Sequence, residues 1–152
     1  ARAVDAAPMA APPDAPAPPD APAPPDAPAP PDANRGAPTY RDFRDSAQAA
    51  LSAGDAEAAV ELAEQSLALQ RSARTYLILA DGLARLGRSD EAVAATTAAT
   101  KLSPSYATGW QRHGDLLWSL GRREDARAAY ARYLALQPRG ATADKIRQLL
   151  GM

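Results

Sequence analysis

The sequence predicts an all-α solenoid of three helix hairpins with a capping helix, preceded by a disordered tail biased toward polyproline II. Three observations carry this reading. Thirteen of the 15 prolines fall in the first 38 of 152 residues. After them a period of 33–34 residues sets in: Gly54, Gly87 and Gly121 step by 33 and 34, and so do Leu69, Leu102 and Leu136. Within each period, apolar residues recur twice at helical spacing.

The tail repeats the hexapeptide Ala-Pro-Pro-Asp-Ala-Pro over residues 11–16, 17–22 and 23–28 and begins a fourth copy at 29–33. Each proline fixes φ and removes a donor, and the residue before it is pushed to extended geometry. Helix and sheet interior are therefore excluded. Few large apolar side chains, only Val4 and Met9, are there to be buried. Residues 1–38 are expected to be a solvated spacer. Fully extended, the 23 residues 11–33 span about 70 Å at ~3.1 Å per residue. The Pro-x-x-Pro spacing at Pro13–Pro16 is a weak recognition signal, because the repeat carries aspartate where such ligands carry a basic residue.

Residues 39–152 read as one domain with units at 40–72, 73–106 and 107–140. Helices are expected over 40–53, 55–70, 73–86, 89–102, 106–120, 122–136 and 142–150. In the second unit Tyr76, Leu79, Ala80 and Leu83 share a helical face. Leu86-Gly87 ends that helix, since glycine accepts the left-handed cap conformation. Ser89 is expected to cap the next helix, with Asp90 and Glu91 at its positive end. Ala92, Val93, Thr96, Ala99 and Leu102 form its inner stripe, and Pro104 stops it. Ala80, Ala92 and Ala99 let helix axes approach closely. The third unit repeats Leu86-Gly87-Arg88 as Leu120-Gly121-Arg122, and Pro104 as Pro138. Ile146, Leu149 and Leu150 suit a short amphipathic helix that caps the array.

Period, hairpin and small residues together resemble the tetratricopeptide repeat, whose pattern is W-x₂-L-G-x₂-Y, then A-x₃-F, an alanine and a closing proline. The third unit matches at Trp110, His113-Gly114, Leu117, Ala126, Tyr130 and Pro138, with Tyr133 in place of the late alanine. The second matches at Tyr76, Leu79-Ala80, Leu83, Ala92, Thr96, Ala99 and Pro104. The first is weaker, at Phe43, Ser46-Ala47, Ala50, Ala59, Ala63 and Ser66; it has Arg71 in place of proline and is one residue short.

Composition narrows the chemistry. There is no cysteine and one histidine, so disulfides, thiolates and multi-histidine metal sites are excluded. His113 stands where the family has leucine and reads as a partly buried structural residue. Asp115 lies on another side of its helix, so no Ser-His-Asp set forms. Glu61 and Glu64 read as solvated surface. Gly82, Gly109 and Gly114 are isolated, so there is no phosphate loop. Neither an enzyme nor a cofactor is expected. Residues 1–35 carry two arginines against five aspartates; residues 36–152 carry 15 basic against 13 acidic side chains. That excess is too small to predict nucleic-acid binding. No apolar run approaches a membrane span of about 20 residues, so no direct membrane insertion is expected. Arginine outnumbers lysine 15 to 2, the bias of a GC-rich bacterial gene. A chain that begins at Ala1 is expected to continue upstream.

The resemblance implies that the first helices of successive units line a concave groove for an extended peptide or a helix of a partner protein. Carried over, the lining is Arg41, Arg44 and Gln48 from the first unit. The second unit gives Arg74, Leu77, Ile78, Asp81 and Arg85. The third gives Thr108, Gln111, Arg112, Asp115 and Trp118, with Lys145 near the cap. Leu77, Ile78 and Trp118 are expected as apolar anchors ringed by arginines, a surface suited to aliphatic side chains and carboxylates. One subgroup of the family clamps a chaperone partner's terminal carboxylate with lysines and asparagines. The corresponding places hold Arg44, Gln48, Ile78, Thr108 and Arg112, so such a clamp is not expected. The expected function is a non-catalytic adaptor tethered by the tail. The alternatives are autoregulation, with the acidic tail making an intramolecular contact in the basic groove, and an accessory tail of a larger bacterial enzyme such as a signalling kinase.

Overall fold

The computed structural model describes residues 36–152. The tail expected over 1–38, its hexapeptide repeats and its groove contact therefore fall outside the described residues, but for positions 36–38. The described residues form seven helices: α1 (Tyr40–Ala53), α2 (Ala56–Leu69), α3 (Ala73–Arg85), α4 (Ser89–Leu102), α5 (Ala107–Ser119), α6 (Arg123–Leu136) and α7 (Ala141–Leu150). Each bound lies within one residue of its sequence expectation.

The hairpins α1–α2, α3–α4 and α5–α6 close in the same way. Gly54, Gly87 and Gly121 take φ of +87°, +75° and +76°. The residue after each donates its N–H back to the preceding helix, at 2.9 Å in all three cases: Asp55 to Ala50, Arg88 to Leu83 and Arg122 to Leu117. A side chain at that φ costs about 1–2 kcal/mol, which is why glycine recurs there. The turn is so short that Ser89 is drawn into α4 as its first residue. Arg88 is the N-cap, and no side chain caps that end. This corrects the reading of Ser89. Arg88 instead grips Glu91, with Nε and Nη2 donating at 2.7 and 2.6 Å. Thr39 forms a full capping box with Asp42 at the start of α1.

The hairpins stack in sequential order, α2 on α3 and α4 on α5, while α1, α3 and α5 also lie side by side. The interior is built on small residues. Ala47, Ala59, Ala63, Ala92, Ala99 and Ala126 are fully buried, and Leu51, Leu83 and Leu117 nearly so. Across the hairpin crossings, Gly114 sits so close to Tyr130 that an added Cβ would lie 2.7 Å from its ring. Ser66 donates to the Tyr40 carbonyl at 2.7 Å and ties α2 to α1. At the far end Ala143 and Ile146 seal the last hairpin, and Arg147 donates to the Pro138 carbonyl.

Leu102 departs from its expected place in the inner stripe and is 43 % exposed. It is the last residue of α4, beyond the point where a facing helix covers the stripe. Leu69 and Leu136 end α2 and α6 at the same register and are exposed likewise. Among the described residues no helix is long and apolar enough to cross a membrane, and no group of acids and histidine is placed to hold a metal.

Candidate functional site

The odd-numbered helices form one surface of the stack, and that surface holds two adjoining clefts. The first, of about 350 Å³, lies across α1, α3 and α5 and gathers Gln48, Asp81, Arg85 and Arg112. The second, of about 310 Å³, lies between α5 and α7 and gathers Gln111, Asp115 and Lys145. Seven of the sequence-derived groove residues are thus brought together along the inner surface.

Its floor is a chain of charges. Arg85 Nη1 donates to the Leu51 carbonyl at 2.5 Å, which fixes the guanidinium across the α1–α3 joint. Arg112 reaches back from α5 to Asp81 at 3.7 Å. Burial pushes the Asp81 carboxyl above the usual carboxylate range; Arg112 and then Arg85 pull it back, and Asp115 adds to the rise. Asp115 in turn accepts a hydrogen bond from the Tyr130 hydroxyl at 2.8 Å. Burial and that bond push the Tyr130 phenol up.

The apolar anchors are placed otherwise than expected. Leu77 and Ile78 are 6 % and 5 % exposed. Leu77 packs with Ala73 and Ala99, and Ile78 joins the cluster of Ala47, Leu79 and Leu83. Neither offers a side chain to a visiting peptide. The reason is that α3 is flanked by α1, α2, α4 and α5, so it is buried around most of its circumference. Trp118 is half-buried. Its ring lies 6.3 Å from that of Tyr130, tilted by 53°, and the Arg123 guanidinium covers it at 3.8 Å.

The remaining arginines of the expected ring stand apart from the clefts. Arg41 donates from Nε to its neighbour Tyr40 at 3.0 Å, and Arg44 is paired with Asp45 at 2.7 Å. Arg74 and Thr108 are exposed. Sequence reading missed Ser52 and Ala84 in the first cleft and Thr142 and Leu149 in the second. They lie three or four residues from Gln48, Asp81 and Lys145, so extending each helical face by one turn finds them.

Among the described residues, six helices paired in sequence around left-handed glycines and a seventh at the end define a helical-repeat solenoid. Two of its repeats, residues 73–106 and 107–139, match the family model described as tetratricopeptide repeat. The α1–α2 hairpin completes three repeats, and α7 caps them. Solved structures similar to the chain include the Arabidopsis OM64 TPR domain, 21 % identical at a TM-score of 0.67 over 73 % of this chain and 93 % of that one. The first TPR of Spaghetti (RPAP3), bound to the HSP90 peptide SRMEEVD, is 20 % identical at 0.66 over 75 % and 97 %. YrrB, a TPR protein with an unusual peptide-binding site, is 18 % identical at 0.67 over 74 % and 59 %. No curated protein matches the chain by sequence.

Proposed function

We propose that the chain is a non-catalytic protein-interaction adaptor that holds an acidic, extended segment of a partner protein along the inner surface. The carrying observation is the pair of adjoining clefts on α1, α3, α5 and α7. Three cationic side chains there, Arg85, Arg112 and Lys145, face two carboxylates, Asp81 and Asp115. Both carboxylates are already engaged, Asp81 by Arg112 and Asp115 by Tyr130. Lys145 makes no ion pair among the described residues. The surface is left with cationic capacity for carboxylates of a ligand.

Aliphatic side chains of the partner find their contact near the cap, on the exposed Leu149, and not on Leu77 or Ile78. Two proteins of similar fold support the reading, the first TPR of Spaghetti (RPAP3) bound to its HSP90 peptide and YrrB with its peptide-binding site. The proline-rich residues 1–38 serve in it as a tether.

The test is the affinity of fluorescein-labelled peptides that combine glutamates with leucines, measured by anisotropy for the wild type and for Arg112→Ala/Lys145→Ala. Loss of two charge-assisted contacts is expected to weaken binding by at least tenfold, about 1.4 kcal/mol, with helicity unchanged. Equal affinity in both proteins would remove the inner surface as the site.

A further inference from the structure

The outer face, formed by α2, α4 and α6, carries two clefts at equivalent joints between repeats. The first, between α2 and the turn from α3 to α4, is acidic: Glu57, Glu61 and Glu64 line it, with Arg88 as the one cation. The α4–α6 cleft, of about 330 Å³, keeps the same apolar element, Val93 for Val60, and the same arginine, Arg122 for Arg88. Its polarity is reversed. Thr97 stands where the first joint has Glu64, Arg132 stands at the register of Ala98, and His113 at that of Leu79.

His113 is held as part of the wall. The Thr96 hydroxyl donates to the Val93 carbonyl at 3.0 Å. Its oxygen is therefore left to accept, and His113 Nδ1 lies 2.8 Å away. With the Thr96 proton on the Val93 carbonyl, the neutral ring carries its own proton on Nδ1. Among the described residues Nε2 has no protein partner, and no side-chain nitrogen or oxygen is buried without one. Nε2 thus opens to the cleft. Arg122 is occupied by Asp125 at 2.7 and 2.9 Å. Arg132 makes no ion pair among the described residues. Val93, Leu117 and Ala129 provide an apolar floor beneath these groups.

We propose that the α4–α6 cleft is a second binding site, on the outer face and independent of the inner-surface reading, for a glutamate-bearing segment of a partner protein. The methylenes of the glutamate lie on the apolar floor and its carboxylate pairs with Arg132. His113 takes a proton from solvent at Nε2 and donates it as a second hydrogen bond to the carboxylate. Burial first and Arg122 second hold the free imidazole below its usual range, while Asp125 opposes them; α4 faces it with Val93, Thr96 and Thr97 and brings no charge. A bound carboxylate favours the imidazolium. Binding therefore tightens as pH falls through the ordinary histidine range, until the carboxylate itself protonates near pH ~4.

The chain has one histidine, so its imidazole proton signals report on this site alone. The experiment titrates the full chain with hexaglutamate and follows those signals by NMR. At about pH 6 they are expected to move in a saturable way, with affinity about tenfold tighter than at pH ~8. Arg132→Ala is expected to weaken the response about tenfold. His113→Leu, which copies the first joint, is expected to leave Arg132-dependent binding, read by anisotropy of labelled hexaglutamate, without pH dependence. The His113 response is expected to persist in Arg112→Ala/Lys145→Ala, which separates this site from the inner surface. Imidazole signals unmoved by hexaglutamate, or a response lost with Arg112 and Lys145 but kept without Arg132, would overturn the proposal.

Discussion

The second and third hairpins share a backbone plan and solve its closest crossing in opposite ways. Where α3 crosses α4, Ala80 lies at the register that Gly114 holds where α5 crosses α6, and Thr96 at the register of Tyr130. A small residue faces a small one in the second hairpin. In the third, glycine faces a tyrosine that is 2 % exposed. The side chains that fill or leave that space decide what stands beside it. Tyr130 fills its crossing and sends its hydroxyl to Asp115 on the inner surface. Thr96 leaves room and a hydroxyl oxygen, and the His113 ring from the next repeat uses both. The lesson is that one crossing position, varied in size and polarity, links the core of a repeat to the face it presents.

Removing Tyr130 tests the comparison most severely. Tyr130→Ala empties the third crossing and is expected to cost about 4 kcal/mol, read from urea unfolding. Thr96→Ala removes far less volume from the second crossing, so its cost is expected to be well below that. Equal costs would show that the two crossings are not packed differently.

Gly114→Ala comes next, at about 2 kcal/mol, because the new Cβ meets a ring held by its bond to Asp115. The same change in a Tyr130→Thr background rebuilds the second hairpin's pair. There the alanine is expected to cost less or to stabilise, by the helix propensity it regains over glycine. A cost that is the same in both backgrounds would break the idea that the two positions compensate.

The smallest effect is on pH. The folded state holds the His113 imidazole below its unfolded range, chiefly by burial. The unfolded chain therefore binds more protons as pH falls from the unfolded value toward the folded one, and stability declines across that window. His113→Leu is expected to flatten this decline in thermal melts between pH ~7.5 and ~5. A slope unchanged in that variant would assign the decline to the carboxylates.

Much of the fold was legible in the sequence, because its determinants are local. Glycines needing positive φ, prolines past helix ends and alanines at helical spacing each act within one turn. The inner surface was legible by half. Gln48, Asp81, Arg85, Gln111, Arg112, Asp115 and Lys145 lie where the helical register puts them. Leu77 and Ile78 do not reach the surface, because a face assigned by analogy treats every unit alike. The middle helix α3 has neighbours on more sides than α1 or α5, and its exposed arc shrinks to Arg74, Ala84 and Arg85, with Tyr76 and Asp81 half-buried. His113 was legible as an oddity, a polar residue at a leucine position. Its partner Thr96 was read as part of the inner stripe and as a position of the repeat pattern, so their pairing across two repeats stayed hidden.

The central claim is that an acidic partner segment lies along α1, α3, α5 and α7. The most direct measurement is amide chemical-shift mapping of the ¹⁵N-labelled chain with a leucine- and glutamate-bearing peptide. Perturbations are predicted at Gln48, Asp81, Arg112 and Lys145. Perturbations confined to α2, α4 and α6, or none at all at saturating peptide, would contradict it.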